Sequence, residues 1–311
     1  MKFDASKTAF GRHETFALRY SWLTKGYQKN VACKKEDIFT SDNATVELGV
    51  GKNMVAAIRY WLRASQMMDA SSNRVTSLGN SIFNSKTGFD PYLEDEATLW
   101  LVHWSIATNS SLATSWYWFF NKFHKPEFTA SELNTSLSDW VKDNVQHKIA
   151  DGTLKNDTLL VPKMYAYSKD NKRISLEDKL DIPLVQLKLI TQSPDGKTYQ
   201  SKPSIRLSLP IEIIGYAVSQ IMLAKNAISI PIEELMYSRD TFPAVGSVFR
   251  LTENDLIAKL ETLTSSYPQF FDIRESSGIH QLYLKTDEKI EFKPECFLID
   301  YYKPSSKEVA A

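Results

Sequence analysis

The run Leu48-Gly49-Val50-Gly51-Lys52-Asn53-Met54-Val55-Ala56-Ala57-Ile58-Arg59-Tyr60-Trp61-Leu62-Arg63 constrains the chain more than any other segment. At about 100° per residue, a helix from here to about Met67 gathers Met54, Val55, Ile58, Trp61 and Leu62 on one face. Lys52, Arg59 and Arg63 fall within about 20° of a common line, roughly 120° from the centre of that face. One side of such a helix enters a core while the other carries a cationic stripe. The stripe, with Asn53 and the free amides of the first turn, can meet phosphate. It can equally be a solvated surface. A nucleotide P-loop is excluded, because Val46 stands where that motif needs glycine and Asn53 where it needs Ser or Thr.

Charge enters the argument here. The 37 basic and 37 acidic side chains cancel, which excludes a polycationic nucleic-acid coat. The cancellation is uneven, at +5 for residues 1–76, −4 for 77–140, +4 for 141–206 and −5 for 207–311. The first excess contains the helix stripe and a second dense run, Phe10-Gly11-Arg12-His13-Glu14-Thr15-Phe16-Ala17-Leu18-Arg19-Tyr20, followed by Lys25. His13 beside Glu14 can orient water or bind a metal, and Arg12, Arg19 and Lys25 can clamp phosphate. The same run also reads as an ion-paired segment packed by its aromatics. His103, among Leu99, Trp100 and Val102, reads as a core residue.

Cys33 and Cys296 form no CxxC pair, and the five histidines show no zinc spacing. Two free thiols, no signal-like leader and no apolar run near the ~20 residues of a membrane span predict a cytoplasmic, membrane-free protein.

Along the chain, Asn73–Phe83 reads as a short hairpin with Gly79 near its tip. Asp90-Pro91 reads as a helix start, with Glu94 and Asp95 in the first turns. Thr129-Ala130-Ser131-Glu132 is a capping box. Thr158–Tyr167, Leu184–Thr191, Phe270–Ile273, Ile279–Leu284 and Cys296–Tyr302 read as strands, and 192–204 as a linker or exposed hairpin. Helices are expected over Ser115–Phe123, from Pro210 to Ala224, near Pro231–Tyr237 and over Glu253–Ser265. The expected class is α+β, mostly α-helical, with winged-helix-like modules and short β-hairpins. Residues 1–88 would be a basic segment with a winged-helix-like DNA-binding module. Residues 89–200 would be a central helical module, and 201–311 an α+β unit with a possible second winged helix.

Three runs carry a family resemblance. They are Phe10–Phe16 with Trp22-Leu23 and Lys25-Gly26, the Leu48–Leu62 run, and Asp90-Pro91-Tyr92-Leu93-Glu94-Asp95 continuing through Ala97-Thr98-Leu99-Trp100-Leu101-Val102-His103-Trp104. Together they resemble a bacterial domain-of-unknown-function family found in DNA phosphorothioation loci. That family lies beside cysteine desulfurases and ATP-pyrophosphatase-like sulfur-transfer proteins, and one similar protein is the nickase component of single-strand phosphorothioation anti-phage systems. The resemblance implies a protein that acts on double-stranded DNA with sulfur-transfer partners, and it brings no catalytic residues with it.

From chemistry, a DNA nickase would use Mg or Mn held by Glu14, Asp90, Glu94 and Asp95. His13, Glu14 and Asp95 would be catalytic, and Arg12, Arg19, Lys25, Lys52, Asn53, Arg59 and Arg63 would hold the DNA. One alternative is a non-catalytic adaptor that brings DNA to the desulfurase and sulfur-transfer enzymes. Another is a structural subunit whose basic stripe meets protein.

Overall fold

The computed structural model describes residues 1–33, 37–167, 181–276, 278–285 and 292–303. The chain divides into two units. One is Asp4–Lys202, and the other is Pro203–Ala311 with Met1–Phe3.

In the first unit, α1 (Tyr20–Ala32), α2 (Ala44–Leu48) and α3 (Lys52–Ala64) come first. Gly49 ends α2 in the left-handed region, at φ 61°, where its N–H returns to the carbonyls of Thr45 and Val46. Helices α1 and α3 meet closely at Gly26, where a Cβ would lie 2.7 Å from side-chain carbons of both Ile58 and Leu62. Next come α4 (Ser77–Phe83), α5 (Glu96–Ala107) and α6 (Thr114–Asn121). Every residue of α5 from Ala97 to Ala107 is buried, in keeping with its all-round apolar sequence. Trp61, Trp100, Trp104, Trp116 and Phe120 form the aromatic centre of the core, and each stabilises the fold by about 1.5–3 kcal/mol through burial.

The unit closes with β1 (Glu127–Thr129), α7 (Ala130–Asn144), α8 (Asp151–Tyr165), a 3₁₀ turn at Pro183–Leu187, β2 (Thr191–Gln192) and β3 (Thr198–Gln200). The strands pair antiparallel in the order β1-β3-β2, with Phe128 opposite Tyr199.

The second unit also combines helices with one small sheet. It runs α9 (Ile211–Lys225), β4 (Ser229–Pro231), α10 (Ile232–Met236), α11 (Val245–Phe249), α12 (Glu253–Ser266), β5 (Phe271–Ser276), β6 (Ile279–Leu284) and α13 (Glu295–Tyr302). Its antiparallel sheet has the order β4-β6-β5. Phe297 of α13 packs against Tyr267, at 4.8 Å between ring centres, and beside Gly215 of α9. Among the described residues no helix is long and apolar enough to cross a membrane.

The α+β, mostly helical class is as expected, but several elements differ from their expected form. The Asn73–Phe83 hairpin is instead helix α4, capped by the Thr76 hydroxyl accepting from Gly79 N–H. Gly79 answers to packing, since a Cβ there would lie 2.2 Å from the Met67 carbonyl oxygen. The Thr158–Tyr167 strand is the second half of α8, and Cys296–Tyr302 is helix α13. Most of Leu184–Thr191 lies outside any strand, with the 3₁₀ turn at its start and only Thr191 in β2. Helix α5 begins at Glu96 rather than at Pro91, because Asp95 is its cap.

Candidate nucleic-acid interface

Helix α3 places its stripe along a groove of about 1000 Å³. Lys52, Arg59 and Arg63 line it from α3, Arg12 from the N-terminal loop, and Thr40, Ser41 and Thr45 from the approach to α2. Asp42 is the one acidic residue on its wall among the described residues. Arg12 and Lys52 are exposed and make no ion pair among the described residues.

The two inner arginines are held in place. Arg59 donates from Nη2 to Asp37 Oδ2 at 3.1 Å and from Nε to Asn73 Oδ1 at 3.4 Å. Arg63 donates from Nε to the same Asn73 oxygen at 2.8 Å, and also from Nη2. Asn73 adopts φ 55°, a conformation asparagine tolerates well, and donates from Nδ2 to Asp37 Oδ2 at 2.6 Å. Burial, and after it the neighbouring Arg59, lowers the Arg63 pKa from its ordinary value. An arginine remains a cation under physiological conditions all the same. Asp37 offsets one of the four charges, so the groove keeps a cationic excess suited to a polyanion.

The other expected phosphate ligands lie elsewhere. Asn53 is exposed but is not part of the groove wall. Arg19 sits 3.6 Å from Asp181 Oδ2 and covers the Trp22 ring. Lys25 lines a separate depression of about 400 Å³ with Tyr20, Thr24 and Tyr92.

His13 is 1% exposed. Its Nδ1 accepts from Thr15 N–H at 3.1 Å, so Nε2 carries the proton that points to Asp157 Oδ1 at 2.8 Å. Asp157 also accepts from Gly11 N–H at 2.9 Å and from the Ser115 hydroxyl at 2.5 Å. Serine, histidine and aspartate are all present, yet the serine bonds the aspartate rather than the histidine, and all three are buried. That arrangement pins a loop and presents no nucleophile. Glu14, its neighbour, is exposed, at φ 51°.

The acidic run is likewise engaged by backbone. Asp90 is buried, and its two oxygens accept from the N–H groups of Glu94 at 2.9 Å and Asp95 at 3.0 Å. Asp95 caps α5 through Ala97 N–H at 2.8 Å, and Glu94 is exposed. No three His, Cys, Asp or Glu side chains among the described residues are grouped so as to hold a metal ion. Glu14, Asp90, Glu94 and Asp95 therefore do not fit a shared Mg or Mn centre. His103 bonds Tyr165 Oη at 2.9 Å inside the aromatic core. Asp37, Asn73 and Asp157 escaped the sequence reading, because each acts through a partner distant in sequence and belongs to no motif.

In sequence, residues 10–302 match the model of a family described as "Protein of unknown function (DUF4007)". In structure, the chain is similar to a magnesium-ion-bound SspB crystal structure, with a TM-score of 0.81 and 30% identity over 96% of this chain and 89% of that one. A second SspB crystal structure gives 0.79 and 30% over the same shares. No curated protein matches the sequence significantly.

Proposed function

Since the chain belongs to the DUF4007 family and is similar to SspB over nearly its whole length, we propose that it is the DNA-holding component of a phosphorothioate modification and defence system. The groove along α3 is the duplex-binding surface in this reading. The observation that carries it is the gathering of Arg12, Lys52, Arg59 and Arg63 around one groove. Backbone phosphates are recognised by such a set of cations, independently of base sequence. Two runs of described elements resemble a winged helix, in which the third helix enters the major groove: the first is ordered helix–strand–helix–helix–strand–strand, and the second has one more helix, α11, before its hairpin. In the first, that helix is α8, and its Asp157 is covered by the Gly11–Thr15 loop. The α3 groove is therefore the better DNA surface. Cysteine desulfurase and sulfur-transfer enzymes are the proposed partners, to which the protein presents its DNA.

Fluorescence anisotropy with a short labelled duplex tests the reading. Arg12→Glu with Lys52→Glu should weaken binding at least tenfold, about 1.4 kcal/mol, with the melting temperature unchanged. Unaltered affinity sinks it.

Metal-dependent nicking is the second reading, favoured by the magnesium ion in one similar structure. The carboxylates expected to hold that ion do not converge, so no step of hydrolysis is assigned to them. Supercoiled plasmid incubated with Mg or Mn, with and without EDTA, separates the readings. Metal-dependent relaxation supports the nickase, and intact plasmid supports the adaptor.

A further inference from the structure

Helix α12, the last before the β5–β6 hairpin of the second unit, carries the wrong charge for DNA. Its charged residues are Glu253, Asp255, Lys259 and Glu261, and the lysine donates to the Leu209 carbonyl at 3.1 Å. Leu256, Leu260 and Leu263 turn into the core. Glu253, Ile257 and Glu261, four residues apart, form a stripe on the wall of a groove of about 360 Å³. Glu233 of α10, Tyr237 just after it and Ile279 at the β5–β6 tip complete the groove. Tyr237 is 45% exposed and Ile279 51%. Arg239 pairs with Glu233, and phosphates brought to this face would meet Glu253 and Glu261.

We propose that this groove docks a basic amphipathic helix of a partner protein, seating apolar side chains over Ile257 and Ile279 and cations against Glu253 and Glu261. Charge complementarity selects the occupant. The outer glutamates are eight residues apart on α12, about 12 Å along its axis. A partner helix laid along the groove reaches both with basic residues about two turns apart, flanking an apolar one. The second unit as a whole has the same sign, since residues 1–3 and 203–311 hold 12 basic and 15 acidic side chains. The proposal does not depend on the α3 groove, which lies in the first unit.

The test uses the full chain and a labelled peptide of about 18 residues, long enough to form a helix, with leucines along one face and lysines beside them. A control peptide carries glutamates in place of the lysines. The lysine peptide should bind at least tenfold more tightly than the control. Glu253→Lys with Glu261→Lys should weaken it at least tenfold, and Ile279→Ser at least threefold, with unchanged melting temperatures. Reversing Glu127 and Asp139 in the first unit should leave affinity within twofold. Hydrogen exchange should show peptide protection in α10, α12 and the β5–β6 tip. Failure of the peptide to bind, equal binding by the Glu253/Glu261 variant, or protection elsewhere overturns the proposal. Protection of these same segments by duplex DNA overturns it too.

Discussion

Asp157 accepts hydrogen bonds from Gly11, His13 and Ser115 in a site closed to water. Removing one member of such a buried set leaves the others without partners, and that loss dominates over any transfer gain. Asp157→Ala should cost about 3 kcal/mol, or about 6–12 °C in melting temperature for a unit of this size. A drop below about 1 kcal/mol would show that the node is not a structural pin. The histidine was legible in the sequence as a chemical group, but its role was not. The partner lies 144 positions away, and nothing local marks Asp157 on α8. Cys296 yields a second test at this scale. Burial, then Asp300 and Glu295, pushes its thiol up to about 11. Only the thiolate is nucleophilic, so at pH 8 Cys296 should alkylate at least about tenfold more slowly than an unstructured cysteine peptide. Mass spectrometry of iodoacetamide-treated protein measures this, and equal rates would refute the burial.

Helices with a local signature were readable from sequence, and those defined by tertiary packing were not. The period of Met54, Val55, Ile58 and Trp61 gives α3, and Thr129 with Glu132 gives the start of α7. Helices α4 and α13 were read as strands because Val75, Thr76 and the aromatic-rich Cys296–Tyr302 favour β structure in isolation. Contacts with Met67 and Tyr267 override that preference. The α7 capping box can be tested through its pH dependence. Lys125, then the Thr129 backbone and hydroxyl, pushes Glu132 down to about 2. A carboxylate depressed on folding contributes stability above its unfolded value near 4.5, and loses that contribution as pH falls through the folded value. The melting-temperature difference between wild type and Glu132→Gln should therefore be full at pH 6 and shrink as pH falls towards about 2. A difference that is constant over this window would show that the charge has no part in the cap. Thr129→Ala should cost about 1 kcal/mol at any of these pH values.

At the scale of the molecule, a net charge of zero conceals two opposed units. Residues 4–202 hold 25 basic and 22 acidic side chains, against 12 and 15 in the remainder. The first unit lines the α3 groove with four cations, and the second lines its own groove with glutamates. Sequence showed the sign of the first excess, but it could not show that Arg12 joins the α3 stripe while Arg19 and Lys25 do not. If DNA lies along the α3 groove, the salt dependence of binding counts the cations that meet phosphate. Four contacts give a slope of log K against log salt of about −3.6, and losing one contact reduces its steepness by about 0.9. Lys52→Gln should produce that full reduction, since Lys52 makes no ion pair among the described residues. Arg59→Gln should produce a smaller one, because Asp37 already offsets Arg59 at 3.1 Å. Glu253→Lys with Glu261→Lys should leave the slope unchanged, as that groove meets no phosphate in this scheme. Anisotropy titrations across a potassium chloride series separate the three variants. A slope insensitive to Lys52→Gln, or steepened by the Glu253/Glu261 pair, would move the DNA to another surface.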